Sequence, residues 1–115
     1  MPGYLKQVNI KSDLPTADEA VRRVTFNIRN GKAWGCGAIK IIHGYGSTGK
    51  GGRIRSEVRR YLADQKRKGY IFDCIPGEEF SIFNEATRRA FDRCGELRGD
   101  DDLERFNNGV TVAVL

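Results

Sequence analysis

No stretch of this sequence approaches the ~18–20 consecutive apolar residues that carry a helix across a bilayer. Its first residues, Met1 to Lys6, hold no apolar signal core. The expectation is a soluble protein of the cytoplasm with no membrane contact. Cysteine is scarce: Cys36, Cys74 and Cys94 are odd in number and widely spaced. That argues against a disulfide framework or a zinc knuckle and fits three small apolar side chains in a reducing compartment. No internal repeat and no low-complexity linker divides the chain. The aspartates Asp100, Asp101 and Asp102 resemble a calcium loop only at its start. The sixth and twelfth positions, which need Gly and Glu, are Arg105 and Thr111. That stretch reads as a polar loop or a helix N-terminus.

What is present suits one domain. The chain has 115 residues, 39% hydrophobic and 30% charged, a globular composition with enough length for one modest core. Net charge is +5, and its distribution says more than its size. Lys50, Arg53, Arg55, Arg59, Arg60, Lys66, Arg67 and Lys68 face only Glu57 and Asp64 between residues 50 and 68. This one segment is more positive than the whole chain. A concentrated basic patch points to a polyanionic partner; a solvated helix face is the plainer alternative.

Periodicity divides the chain into alternating elements. Residues 1–7 read as a tail, and the domain proper as 8–115. Val8-Asn9-Ile10-Lys11 alternates like a short strand. Ser12-Asp13-Leu14-Pro15 is turn chemistry. Thr16-Ala17-Asp18-Glu19 is a capping box, in which Glu19 is expected to reach back to the Thr16 N–H. Behind it Ala17, Ala20, Val21, Val24 and Ile28 form one face of a helix. That helix ends at Asn30-Gly31 or runs on to Trp34; the longer version extends the apolar stripe. A strand follows over about 38–43. The next helix begins near Gly52 with Ile54, Val58, Tyr61 and Leu62 on one face, and Gly69 is placed to cap it. Residues 70–75 read as a third strand, 82–94 as a third helix, and 110–115 as a final, well-buried strand. The order is β-α-β-α-β-(α)-β, an α/β two-layer domain with a helical insertion over 78–108. Two helices are expected on one face of a four-stranded mixed sheet, with residues 82–107 available to cover the other.

Between the second strand and second helix lies Gly44-Tyr45-Gly46-Ser47-Thr48-Gly49-Lys50-Gly51. It spells G-x-x-x-x-G-K, but the Ser or Thr that would hold Mg²⁺ is replaced by Gly51. Nucleotide hydrolysis does not follow. Strand, glycine loop and helix start still present backbone N–H groups to an anion. His43, the sole histidine, ends the strand. There it is placed to donate to a phosphate oxygen or to move a proton; a lone histidine is also commonly structural.

Ile41-Ile42-His43-Gly44-Tyr45-Gly46-Ser47-Thr48-Gly49, followed by Arg53-Ile54-Arg55-Ser56-Glu57-Val58-Arg59-Arg60-Tyr61-Leu62, resembles the H-G-x-G signature of Smr (small MutS-related) domains. Thr16 to Ala20 resembles the start of that family's first helix, and Gly109 to Leu115 its last strand. The resemblance covers about 8–77 and 108–115. It implies a fold similar to the C-terminal domain of translation initiation factor three, with strand order 1-2-4-3. It also implies nucleic-acid binding, with members that nick structured DNA or cleave RNA. One departure stands out. The family's first strand commonly ends L-D-L-H-G, with the Asp and His implicated in activity; here the residues are Val8-Asn9-Ile10-Lys11-Ser12. Asn9 cannot ionise, and Lys11 binds phosphate more readily than it shuttles a proton.

The expectation is therefore a DNA- or RNA-binding domain. Gly44, Gly46 and Gly49 would let backbone approach phosphate, with His43 beside them. Lys11, Lys50, Arg53 and Arg55 would neutralise charge, and Tyr45 would stack on a base or merely tether the loop. One alternative is a nicking nuclease using His43, with Lys11 stabilising charge on phosphate, either metal-independent or assisted by Mg²⁺. Another is a protein-interaction module built on the insertion. No cofactor is otherwise called for, and the sequence sets no oligomeric state.

Overall fold

The second strand is the spine of the molecule. Cys36–Ile42 (β2) is flanked on one side by Tyr4–Asn9 (β1) in parallel and on the other by Val110–Val114 (β4) in antiparallel. Asp73–Pro76 (β3) pairs antiparallel with the outer side of β4. The sheet order is β1-β2-β4-β3, as the resemblance implied. Helices Ala17–Gly31 (α1), Gly49–Arg67 (α2) and Glu85–Arg93 (α3) complete the domain, with short 3-10 turns at Gly77–Glu79 and Gly95–Gly99. The computed structural model describes residues 3–12, 15–45 and 49–115, without the side chains of 49–51. The expected turn at Asp13 and Leu14 and the loop residues 46–48 lie outside the described residues.

Strand alternation sorts the core into two layers. Ile39, Ile41 and Ala113 face α1 and α2, which contribute Ala20, Val24, Ile28, Ile54, Val58 and Leu62. Ala38, Ile75, Val112 and Val114 face the opposite way, against Phe80, Ala90, Phe91, Cys94 and Leu97 of the insertion. Both faces are thus sealed, which is why β4 reads as an unbroken apolar run. α3 lies so close to β2 that a Cβ at Gly37 would overlap the Arg93 carbonyl oxygen. Only glycine permits that approach.

Several boundaries differ from the sequence reading. Residues 4–7 are not a tail: β1 begins at Tyr4, held by pairing to Cys36–Lys40 and by the Leu5 N–H donating to Glu96 Oε1 at 2.6 Å. The alternation there was masked because β1 is an edge strand with half its side chains in solvent. α1 stops at Gly31 instead of reaching Trp34: the Trp34 N–H is shared between Asn30 O and Gly31 O, the Gly35 N–H donates to Lys32 O, and Gly35 at φ +84° turns the chain toward β2. Trp34 instead stacks obliquely on Phe26 at 5.7 Å under the Lys6 ammonium. The cap of α1 is also rearranged. Thr16 Oγ1 accepts from the Glu19 N–H at 3.2 Å, but Glu19 Oε1 accepts from the Thr16 hydroxyl at 3.1 Å instead of from its N–H. α2 ends as expected, with Gly69 at φ +82°. Its N–H donates to Lys66 O, and that of Tyr70 to Gln65 O, a Schellman closure.

Candidate nucleic-acid interface

One end of the sheet gathers the residues singled out by the sequence. β1 and β2 run parallel, so both deliver their C-terminal ends there, with Asn9 opposite Ile42. Asn9 Oδ1 accepts from the Lys11 and Ser12 N–H groups at 3.0 and 3.2 Å. This Asx turn sends the chain away from β1 and lays the Lys11 stem over Gly44: a Cβ at position 44 would sit 3.4 Å from Lys11 Cδ. Lys11 itself is exposed. Gly44 has φ +84°, a left-handed conformation that favours glycine. Tyr45 stands exposed above Gly109. α2 begins at Gly49 with no acidic residue in its first turn, so the positive end of its dipole is uncompensated by side chains of that turn. Arg53 is exposed and Arg55 half-buried. The side chain of Lys50 and all of Gly46 lie outside the described residues.

His43 sits behind this surface. It is 1% exposed, because alternation puts Ile39, Ile41 and His43 on the face covered by α2. Nδ1 lies 2.9 Å from Gly44 O, and Nε2 2.8 Å from Thr111 Oγ1. The Thr111 hydroxyl also accepts from Arg59 Nε at 3.0 Å. The Gly44 carbonyl fixes the Nδ1 proton. A carbonyl can only accept. So Nδ1–H donates to Gly44 O, and in the neutral imidazole that burial favours Nε2 accepts from the Thr111 O–H. Burial lowers the His43 pKa to about 4; the Gly44 bond works against this, and the Arg59 and Arg55 charges add to it.

Arg59 was counted in the basic patch, but it is committed inward. Its guanidinium meets the Glu78 carboxylate through two bonds, 2.9 and 2.7 Å, and reaches Asn108 O and Val110 O at 3.3 Å. The bond from Arg59 holds Glu78 below the usual carboxylate range despite partial burial. Farther along α2, Arg60 pairs with Glu57, Lys66 with Asp73, and Arg67 and Lys68 with Asp64. Arg53 and Arg55 form no ion pair among the described residues. The patch therefore narrows to its loop end.

A second polar cluster supports the loop from below. Lys40, in mid-β2, is 3% exposed on the insertion side. Its ammonium contacts both Asp100 oxygens at 3.0 Å and Asp102 Oδ2 at 2.7 Å. Burial alone would lower the Lys40 pKa; the two carboxylates outweigh it and raise it. Asp102 Oδ1 accepts from Asn107 Nδ2 at 2.8 Å, and Asn107 Oδ1 from the Gly109 N–H at 2.9 Å. Gly109 O accepts from both the His43 and Gly44 N–H groups, at 3.0 and 2.9 Å. A hydrogen-bonded ring thus runs from the middle of β2 through the insertion and back to the loop. The aspartate run is therefore a counter-ion station for Lys40. A lysine inside the apolar run 38–42 was its sequence signal, because a buried ammonium demands carboxylate partners. No group of three or more potential metal-binding side chains exists among the described residues.

The family model of the Smr domain matches residues 14–76. The crystal structure of the Smr domain of Thermus thermophilus MutS2 is similar in fold, with a TM-score of 0.58 over 96% of this chain and 96% of that chain, at 20% identity. No curated protein matches the sequence.

Proposed function

This chain belongs to the Smr domain family, which is generally nucleic-acid binding or nicking, and on that premise we propose that it binds the phosphate backbone of DNA or RNA through the loop end of its sheet. The observation that carries this reading is the placement of the Lys11 stem over Gly44, five residues ahead in sequence of an α2 start that lacks acidic residues. An exposed cation and a left-handed glycine meet there, and a helix N-terminus follows along the chain. Gly44, Gly46 and Gly49 carry no side chain and would let the backbone approach phosphate. Lys11, Lys50, Arg53 and Arg55 neutralise phosphates. His43 acts through position: its ring holds Gly44 O on one side and Thr111 on the other.

Binding, rather than cutting, is the activity these residues favour. Asn9 spends its carbonyl oxygen on the Asx turn, and His43 has both nitrogens engaged. The test is a salt-titrated binding measurement on single-stranded, duplex and branched DNA and RNA, with a cleavage readout with and without Mg²⁺. Log affinity is expected to fall linearly with log salt, by about 0.7–0.9 per phosphate contacted, with substrates intact. Binding that ignores salt refutes the electrostatic reading. Cleavage by wild type that His43→Ala abolishes refutes the binding-only reading.

A further inference from the structure

Two phenylalanines stand out in a molecule whose sheet is sealed on both faces. Phe83 is 84% exposed and Phe106 68%, with Ile82 at 49% beside them and Tyr45 at 59%. Trp34 is partnered by Phe26 and Lys6, and Phe72 by the Arg93 guanidinium at 3.8 Å, while the exposed Tyr4 and Tyr70 lie toward the other end of the sheet, at the start of β1 and just ahead of β3. Among the described residues, Phe83, Phe106 and Tyr45 have no ring or cation against them.

The backbone beneath the two phenylalanines is held firmly. Glu104 Oε1 accepts from the Ser81 hydroxyl at 2.8 Å and Oε2 from the Ile82 N–H at 2.7 Å. The Glu104 N–H donates to Phe80 O at 3.0 Å, and Arg88 Nη1 to Ile82 O at 2.8 Å. Glu104 and Phe106 both take left-handed backbone, φ 66° and 54°, which non-glycine residues rarely adopt. The segments carrying the rings are thus clamped together in a conformation that local preference does not favour.

Topology puts them at the loop end. Val110 pairs with Ile42, and Pro76 with Thr111. So the exit from β3 toward Phe83 and the entry to β4 from Phe106 both open where β2 leads to Gly44 and β1 to Lys11. Gly109, three residues after Phe106, is the glycine that Tyr45 overlies.

We infer that Phe83 and Phe106, with Tyr45, form a base-stacking platform beside the phosphate-binding loop, and that the ligand is therefore a nucleic acid with unpaired bases. This rests on the reading that the loop end meets phosphate. Phenylalanine offers a flat apolar face and no hydrogen-bonding atom, so it favours base faces over base edges. A continuous duplex hides those faces in its stack; a single strand, or the open bases of a junction, presents them. Clamping keeps the ordering cost of binding small.

The test measures fluorescence anisotropy on a labelled 20-nucleotide single strand, as DNA and as RNA, and on the same sequence as continuous duplex. Wild type is compared with Phe83→Ala/Phe106→Ala and Phe83→Leu/Phe106→Leu. Both variants are expected to lose about tenfold per ring on the single strand, within the range of base–aromatic stacking. Duplex affinity stays within about twofold, and the salt slope is unchanged because no charge is removed. Rescue by leucine overturns stacking in favour of plain apolar contact. Equal loss on strand and duplex, or no loss on the strand, overturns the platform while leaving the phosphate reading intact. Wild type that binds no nucleic acid overturns the phosphate reading itself. A wild-type dimer by sedimentation that the alanine variant dissolves assigns the rings to self-association and overturns the platform.

Discussion

Lowering the pH from 7 to 5 should strip stability from this domain through His43. The imidazole titrates at about 4 in the folded chain against about 6.5 when unfolded. Between those values the unfolded state binds the extra proton, so stability rises with pH through this window and falls as acid is added. The contribution is essentially complete above the unfolded pKa, and no more is lost below about 4. Over pH 7 to 5 the linkage amounts to about 2 kcal/mol. The cause is burial: an imidazolium at this 1% exposed position would lose its hydration, with the Arg59 and Arg55 charges adding to the penalty. Urea denaturation of wild type and His43→Gln at pH 7, 6 and 5 isolates the effect, because carboxylates common to both proteins cancel in the difference. The stability gap between the two should shift by about 2 kcal/mol in the variant's favour at pH 5. A gap that stays constant across the series would refute the buried neutral imidazole.

Lys40→Met should destabilise the fold by about 3–5 kcal/mol in chemical denaturation, since it leaves Asp100 and Asp102 without their cation; a loss below about 1 kcal/mol would mean the pair is solvated. Gly37→Ala should cost more than Gly44→Ala in thermal unfolding. The first forces α3 off β2, whereas the second meets only the flexible Lys11 stem and carries the backbone penalty of its positive φ, about 1–2 kcal/mol. Lys11→Gln should reduce the salt slope of nucleic-acid binding by about 0.7–0.9 while leaving the melting temperature alone; an unchanged slope would remove Lys11 from the phosphate contacts.

Much of the architecture was legible because this fold needs both periodicities in plain form. Val24 and Ile28, then Val58 and Leu62, mark helical faces, and the glycine after Lys66-Arg67-Lys68 marks a helix end. The unbroken β4 run announced a strand covered on both sides. The edge strand was only half legible, since Tyr4 and Gln7 look outward and break the apolar alternation. The site divided along another line. Local residues such as Lys11 and Gly44 could be placed because they follow strands whose ends the pattern fixed. Partners distant in sequence could not. Arg59 meets Glu78 and Thr111, and Lys40 meets Asp100, through pairings set by packing. Charge alone made Arg59 look like part of the interface, while its two-bond contact with a carboxylate commits it to the fold. His43 is instructive because its side was readable: a period of two from Ile39 and Ile41 points it inward, toward α2.

The position of β4 bears on how the domain is made. The last strand in sequence lies between β2 and β3, so neither can join a common sheet before residues 110–114 have left the ribosome. A nascent chain of the first hundred residues can assemble β1, α1 and β2 but holds the apolar edge of β2 open. At elongation rates of about 5–20 residues per second, that edge stays exposed for several seconds. The loop end, whose carbonyl anchor is Gly109, is completed only when synthesis of the domain is finished.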